Sequence, residues 1–157
     1  MKKSILIANR LKEVFLNGYW IANTNYKDQL EKINWQEAIH QVENLNTIAA
    51  LTYHINYYLV GLLHVFNGEP LEIKDQYSFN LPPIHSDNDW KKLVDEFLTN
   101  AELFASAVEK MPEEKFNDNF VDEKYGTYLR NIEAVIEHSY YHLGQIVLIK
   151  KLISANK

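Results

Sequence analysis

Four long segments of this 157-residue chain carry apolar side chains at helical spacing, and packing them as helices is the direct way to bury them. Within each segment the apolar residues recur three and four positions apart, which places them on one face of an α-helix. No stretch alternates apolar and polar residues over the length of a strand. The pattern predicts an all-α protein with helices at residues 4–17, 45–66, 87–110 and 126–153.

The connections between these segments predict two short helical turns and one long crossover. Asn25 and Asn34 are N-cap candidates in the first connection, and Glu37 completes a capping-box pattern with Asn34. The connection 67–86 contains three prolines and exceeds the roughly two to eight residues usual between bundle helices. Because it can span a whole helix, the second and third long helices are expected to run parallel. The chain is expected to form a single domain, residues 1–157.

Composition excludes several classes of function. There are 21 acidic and 16 basic residues, a net charge of −5 and no basic stripe, so no nucleic-acid partner is expected. Because the chain has no cysteine, a disulfide, a thiolate metal ligand and a cysteine nucleophile are excluded. The first apolar run is too short for a signal peptide, and no later run is long enough to cross a membrane. We therefore expect a cytoplasmic protein.

Two histidines one helical turn apart lie at the edge of the apolar face of the last segment. His138 and His142 point the same way, because residues i and i+4 are neighbours on a helix surface. His54 has a matching position at the edge of the apolar face of the second segment. The remaining histidines fall on a polar face or in connections and are interpreted as solvent or loop residues: His40, His64 and His85.

Three neutral imidazoles from two facing helices can bind one divalent metal ion and leave a position open for water or substrate. Zinc, nickel, iron and manganese all accept such ligands. The alternative is a set of core-edge histidines hydrogen-bonded to one another, to tyrosine hydroxyls or to backbone carbonyls. Three polar residues beside the histidines could orient an imidazole or a substrate, or could form capping or interhelical hydrogen bonds instead: Tyr58, Asn131 and Gln145.

Residues 50–61, which contain His54, and residues 136–146 carry a family resemblance. The second stretch includes His138-Ser-Tyr-Tyr-His142-Leu-Gly-Gln145-Ile146, which is similar to the H-x-x-x-H-x-G-Q-I ending of the DinB/YfiT-like family of metalloenzymes. The resemblance covers essentially the whole chain. It implies a left-handed four-helix bundle with up-down-down-up topology. It also implies that His54, His138 and His142 are the ligands of a metal site near one end.

The resemblance also implies a class of activity. Family members with known activities are mostly transferases or isomerases that depend on low-molecular-weight thiols such as bacillithiol or mycothiol, and many members have no established reaction. A chain without cysteine agrees with chemistry in which a bound thiol is the nucleophile. Glu133 and Glu137 lie off the histidine face, which favours thiol transfer over hydrolysis, because a hydrolase usually has a carboxylate base beside its metal.

Three functions remain open at this point. The first is a metal-dependent thiol S-transferase or hydrolase that acts on a small electrophilic substrate. The second is a non-catalytic bundle that binds metal or a small ligand. The third is a structural module without metal that dimerises through exposed apolar stripes. We expect a homodimer with no membrane partner, and we expect Gly144 to permit the close approach of a neighbouring helix because it has no side chain.

Overall fold

Six α-helices make up most of residues 2–155, the part of the chain that the computed structural model describes. They are α1, Lys3–Lys12; α2, Tyr26–Leu30; α3, Trp35–Ile39; α4, Ile48–Phe66; α5, Asp87–Lys110; and α6, Tyr128–Ala155. Over the same residues, β-type pairing is limited to an isolated bridge between Asn119 and Thr127. The all-α prediction is confirmed. None of the described helices combines the length and apolar character required to span a bilayer.

The long helices begin and end close to the predicted residues. α5 has the predicted bounds, and the hydroxyl of Ser86 caps it by accepting a hydrogen bond from the amide of Asp89 at 3.2 Å. α4 begins at Ile48 rather than at residue 45, because Thr47 is its N-cap. It ends at Phe66, and the second residue after it is a glycine in the left-handed region, with φ of +87°.

The first long helix closes with a π-helical turn, Glu13–Asn17. The amide of Gly18 donates a hydrogen bond to the carbonyl of Glu13 at 3.1 Å, which is the i→i+5 pattern of such a turn. The backbone of Gly18 is extended, with φ of −96° and ψ of 153°, so the helix ends before Gly18, as predicted. A side chain at Gly18 would collide with Glu13.

Both predicted caps in the first connection form. Asn25 caps α2 and Asn34 caps α3, each accepting a hydrogen bond at 2.9 Å from the amide three residues later. Tyr26 then fastens α2 to α6, because its buried hydroxyl donates to the carbonyl of Ser139 at 2.8 Å. This bond lies one residue from His138, so the first connection supports the histidine-bearing turn of α6.

Helix α5 packs against both α1 and α4, and α4 in turn packs against α6. The core includes a fully buried aromatic cluster of Phe15, Tyr26 and Phe97, whose ring centroids lie 5.1 to 5.7 Å apart. The indole of Trp90 donates to the carbonyl of Ile33 at 2.8 Å and anchors the start of α5 to the connection between α2 and α3. The contact between α4 and α6 brings the two histidine-bearing helices together.

The crossover between α4 and α5 folds back over α4. The side chain of Ile73 lies against Gly61, where an added Cβ would be 2.5 Å from Cγ2 of Ile73. The hydroxyl of Tyr57 then accepts a hydrogen bond from the amide of Lys74 at 2.9 Å. A short 3₁₀ turn, Asp75–Tyr77, follows. These contacts hold the middle of the crossover against α4.

Gly144 does not have the packing role that the sequence predicts. It is exposed in the middle of α6, and a Cβ added there would meet no atom within 4 Å. The close approach occurs instead at Gly61, which the sequence pattern did not single out. The prediction for Gly144 was wrong because helical periodicity does not identify which neighbour a helix face meets.

Gly144→Ala is expected to stabilise the protein by about 0.5–1 kcal/mol, because alanine leaves the unfolded chain fewer conformations and meets no neighbour in the helix. Gly61→Ala is the matched control within a second helix. It is expected to destabilise the protein because Ile73 has to move. Urea unfolding followed by circular dichroism compares both variants with the native chain. A loss of stability in Gly144→Ala would contradict the exposed position of this glycine.

Candidate metal centre

His54 of α4 and His138 and His142 of α6 meet in one cluster. Nε2 of His138 lies 3.2 Å from Nε2 of His54 and 2.8 Å from Nε2 of His142. One ligand atom from each ring lies within 4.8 Å of the other two. The structure thus brings together the three histidines that the sequence selects. The other histidines are exposed, namely His40, His64 and His85.

The nitrogen contacts in this cluster cannot all be hydrogen bonds. A ring nitrogen of a neutral imidazole carries either one proton or one lone pair. Because Nε2 of His138 has two close nitrogen neighbours, a proton can join it to only one of them. A metal bound at about 2.0–2.1 Å from each nitrogen would hold the ligand nitrogens about 2.8–3.4 Å apart, for bond angles of about 90–110°. The observed separations of 2.8 and 3.2 Å agree with a shared metal ion.

Burial keeps the cluster in the neutral form that binds metal. His54 is 7% exposed and His142 is 6% exposed, while His138 is half-buried. Burial lowers the pKa of all three rings. For His54, burial and the charges of His138 and His142 lower the pKa to about 4. Near pH 7 the three rings are therefore uncharged, and their lone pairs are available to a metal ion.

Gln145 fixes the tautomer of His142. Nδ1 of His142 lies 2.6 Å from Oε1 of Gln145, and because an amide oxygen only accepts, the ring nitrogen donates. The proton of the neutral ring is then on Nδ1, and Nε2 faces the cluster with its lone pair. A hydrogen bond of this kind orients metal-binding imidazoles in many proteins. The structure therefore brings Gln145 into contact with a histidine of the cluster.

Aromatic rings enclose the cluster. Phe79 of the crossover stacks on His54, with ring centroids 4.0 Å apart and an interplanar angle of 13°. Tyr58 meets His54 and His138 edge-on, with centroid distances of 5.1 and 5.6 Å. Tyr141 lies 4.9 Å from the third histidine ring. Phe79 and Tyr141 are exposed and form the rim of the site.

A carboxylate reaches the site from the crossover. Oδ1 of Asp75 accepts a hydrogen bond from the hydroxyl of Tyr58 at 2.9 Å. Although burial lowers the pKa of His54, the charge of Asp75 acts in the opposite direction and raises it. Burial and the bond to Asp75 raise the pKa of Tyr58. Asp75 and Phe79 could not be predicted at this site from the sequence, because helical periodicity does not indicate how a long connection folds.

The carboxylates of α6 lie where the sequence places them, away from the histidines. Glu133 lies 4.0 Å from Arg10, and Glu137 forms an ion pair with Arg130 at 3.2 Å. Both carboxylates therefore have basic partners at the surface.

Asn131 forms two hydrogen bonds with the backbone at the start of α6. Its side-chain amide donates to the carbonyl oxygens of Tyr125, at 2.9 Å, and Thr127, at 2.8 Å. It precedes His138 by seven residues, which is about 10 Å along a helix axis. These bonds give Asn131 a capping role, which the sequence allowed as the alternative to orienting an imidazole or a substrate.

The family model that describes the DinB superfamily matches residues 26–146. The match starts at the first residue of α2, contains all three clustered histidines and ends at Ile146, directly after Gln145. The chain belongs to the DinB superfamily. No curated protein and no solved structure gave a match.

The histidine cluster of this DinB-superfamily protein fits a divalent metal ion. Its donors are three imidazole nitrogens from two helices, and two of the three histidines are buried. Zinc, nickel, iron and manganese all accept imidazole ligands and complete their coordination with water or substrate. Membership of the superfamily and the geometry of the cluster are thus both compatible with metal binding.

Gln145→Ala is expected to weaken zinc binding about 10- to 100-fold, because His142 loses the hydrogen bond that orients it. Gln145→Glu keeps an acceptor oxygen at this position and is expected to retain most of the affinity. Competition with a chromophoric zinc chelator at pH 7 measures both variants. Native affinity in Gln145→Ala would show that the hydrogen bond does not support metal binding.

Proposed function

We propose that this protein is a metal-dependent enzyme that activates a low-molecular-weight thiol or water for transfer to a small electrophilic substrate. His54, His138 and His142 would hold the metal ion. The observation that supports this most strongly is the convergence of three neutral ring nitrogens at separations that one metal ion explains. When bound, a divalent ion lowers the pKa of a thiol or of water and so supplies a nucleophile near neutral pH.

The chain's own residues would bind and position the reactants. Because the chain has no cysteine, the sulfur nucleophile has to be a bound thiol. Phe79 and Tyr141 are 42% and 64% exposed, so their rings can contact a small substrate that is bound at the histidines. Asp75 gives the site a carboxylate that the sequence analysis did not place there. Because this carboxylate could act as a base, we propose water as well as a thiol as the nucleophile. Hydrolysis is accordingly proposed as well as thiol transfer.

The same proposal includes the finer features that the family resemblance implies. A left-handed four-helix bundle with up-down-down-up topology agrees with the packing of α5 on α1 and α4 and of α4 on α6. A cytoplasmic location would supply reduced thiols. A homodimer is the proposed assembly, and size-exclusion chromatography with light scattering would test it.

The experiment is a pair of assays on protein loaded with zinc, nickel, iron or manganese. In the first, a thiol such as 2-mercaptoethanol attacks 1-chloro-2,4-dinitrobenzene: a carbon–sulfur bond forms, chloride leaves and the thiol proton passes to buffer. In the second, hydrolysis of 4-nitrophenyl acetate is followed without thiol. We expect turnover above that of the free metal ion, and loss of this turnover in His138→Ala. Metal uptake without turnover across a panel of such electrophiles would contradict the enzymatic function and indicate a non-catalytic metal-binding protein.

A further inference from the structure

We propose that the molecule bound at the three-histidine site carries a positive charge, as an amine or another organic cation, and that Asp75 selects it. The inference rests on the proposed function and names the chemical class of the ligand. Its structural basis is the carboxylate of Asp75, which lies 2.9 Å from the hydroxyl of Tyr58. The ring of Tyr58 in turn meets His54 and His138.

The carboxylate of Asp75 has no ion-pair partner in the described part of the chain, residues 2–155. Helix α4, which carries His54, contains no Asp, Glu, Lys or Arg from Ile48 to Phe66. On α6, Glu133 and Glu137 have their own basic partners, Arg10 and Arg130. Asp75 is also exposed, so a bound molecule can reach it.

The aromatic rim favours the same class of ligand. The faces of phenylalanine and tyrosine rings carry partial negative charge and attract cations. Phe79 and Tyr141, which contact different histidines of the cluster, are both exposed to an incoming molecule. An ammonium group beside Asp75 would therefore meet one full negative charge and aromatic rings, whereas a carboxylate there would be repelled.

The charge of the metal does not cancel this preference. A divalent ion held by the histidines would neutralise part of its charge against the sulfur or oxygen nucleophile, which is itself negative. The remainder of the bound molecule would then experience the charge of Asp75, whose carboxylate lies 2.9 Å from the hydroxyl of Tyr58. A thiol or electrophile with a second negative group is thus disfavoured, and one with an amine is favoured.

The test uses the full chain loaded with cobalt(II), whose absorption spectrum changes when a thiol binds. Three thiols of similar size, whose second groups do not readily coordinate metal, are titrated at low ionic strength: thiocholine, which is positive, 2-mercaptoethanol, which is neutral, and 2-mercaptoethanesulfonate, which is negative. We expect affinity to decrease in that order. In Asp75→Asn the ratio of thiocholine affinity to 2-mercaptoethanesulfonate affinity is expected to fall about tenfold, because one carboxylate acts with opposite sign on the two probes.

Two control variants test whether the preference depends on the charge at residue 75. Glu72→Gln removes the same charge from the same crossover, but Glu72 lines a separate groove with Tyr57 and His64, so the ratio should not change. Tyr58→Phe removes the hydroxyl and keeps the carboxylate, so the preference should persist. An unchanged ratio in Asp75→Asn, or tighter binding of 2-mercaptoethanesulfonate than of thiocholine by the native protein, would overturn this inference alone. Failure of the native protein to bind cobalt would overturn the proposed function together with it.

Discussion

Replacing His138 with alanine is expected to weaken zinc binding about 100- to 1,000-fold. Nε2 of His138 has both other ring nitrogens close to it, at 3.2 Å and 2.8 Å, so its loss removes a donor that is close to both other ligands. Structural zinc sites gain about 10–16 kcal/mol from four ligands, or roughly 2.5–4 kcal/mol for each. Since about 1.4 kcal/mol is a tenfold change in affinity, losing one ligand gives the expected range.

Competition with a chromophoric chelator measures this change, and His64→Ala is the matched control. His64 lies on the same helix as His54 but is exposed and outside the cluster, so its replacement should leave zinc affinity unchanged. Thermal unfolding without metal establishes that both variants are folded. If His138→Ala binds zinc as tightly as the native protein does, the three histidines are not the metal ligands.

Phe97→Ala is expected to lower the free energy of unfolding by about 3–5 kcal/mol. Phe97 is fully buried on α5, and its ring packs against Phe15 at 5.7 Å and Tyr26 at 5.1 Å. Its removal leaves a cavity where α5 meets the first helix and α2. A loss of this size is a large part of the roughly 5–15 kcal/mol that stabilises an ordinary domain.

Leu103→Ala provides the comparison within the same helix. Leu103 is 54% exposed, and its replacement is expected to change stability by less than about 0.5 kcal/mol. Urea unfolding of both metal-free variants gives the two values. A loss below about 1 kcal/mol in Phe97→Ala would show that the aromatic cluster is not a main contributor to the core.

The helices and their caps could be predicted because their determinants are local. Asn25 and Asn34 cap the short helices through hydrogen bonds to residues only three positions away. The apolar periodicity that predicts α4 and α6 also shows which histidines lie at the edge of the buried face. It does not show how far apart those histidines lie, which depends on the packing of α4 against α6.

Features that depend on long-range contacts could not be predicted in this way. Gly61 and Gly144 are both glycines within helices, but only Gly61 has a close neighbour, which the crossover supplies. Asp75 and Phe79 belong to that crossover, whose path is determined by contacts such as Ile73 against Gly61 rather than by a repeating pattern. The positions of Asp75 and Phe79 at the site were therefore evident only from the structure.

Elemental analysis of the native protein, purified without a tag, tests the central claim most directly. We predict about one divalent metal ion per chain, either as purified or after incubation with zinc, nickel, iron or manganese followed by desalting. A chain that retains no metal after these incubations would contradict the account, and the three histidines would then be polar groups at the edge of the core.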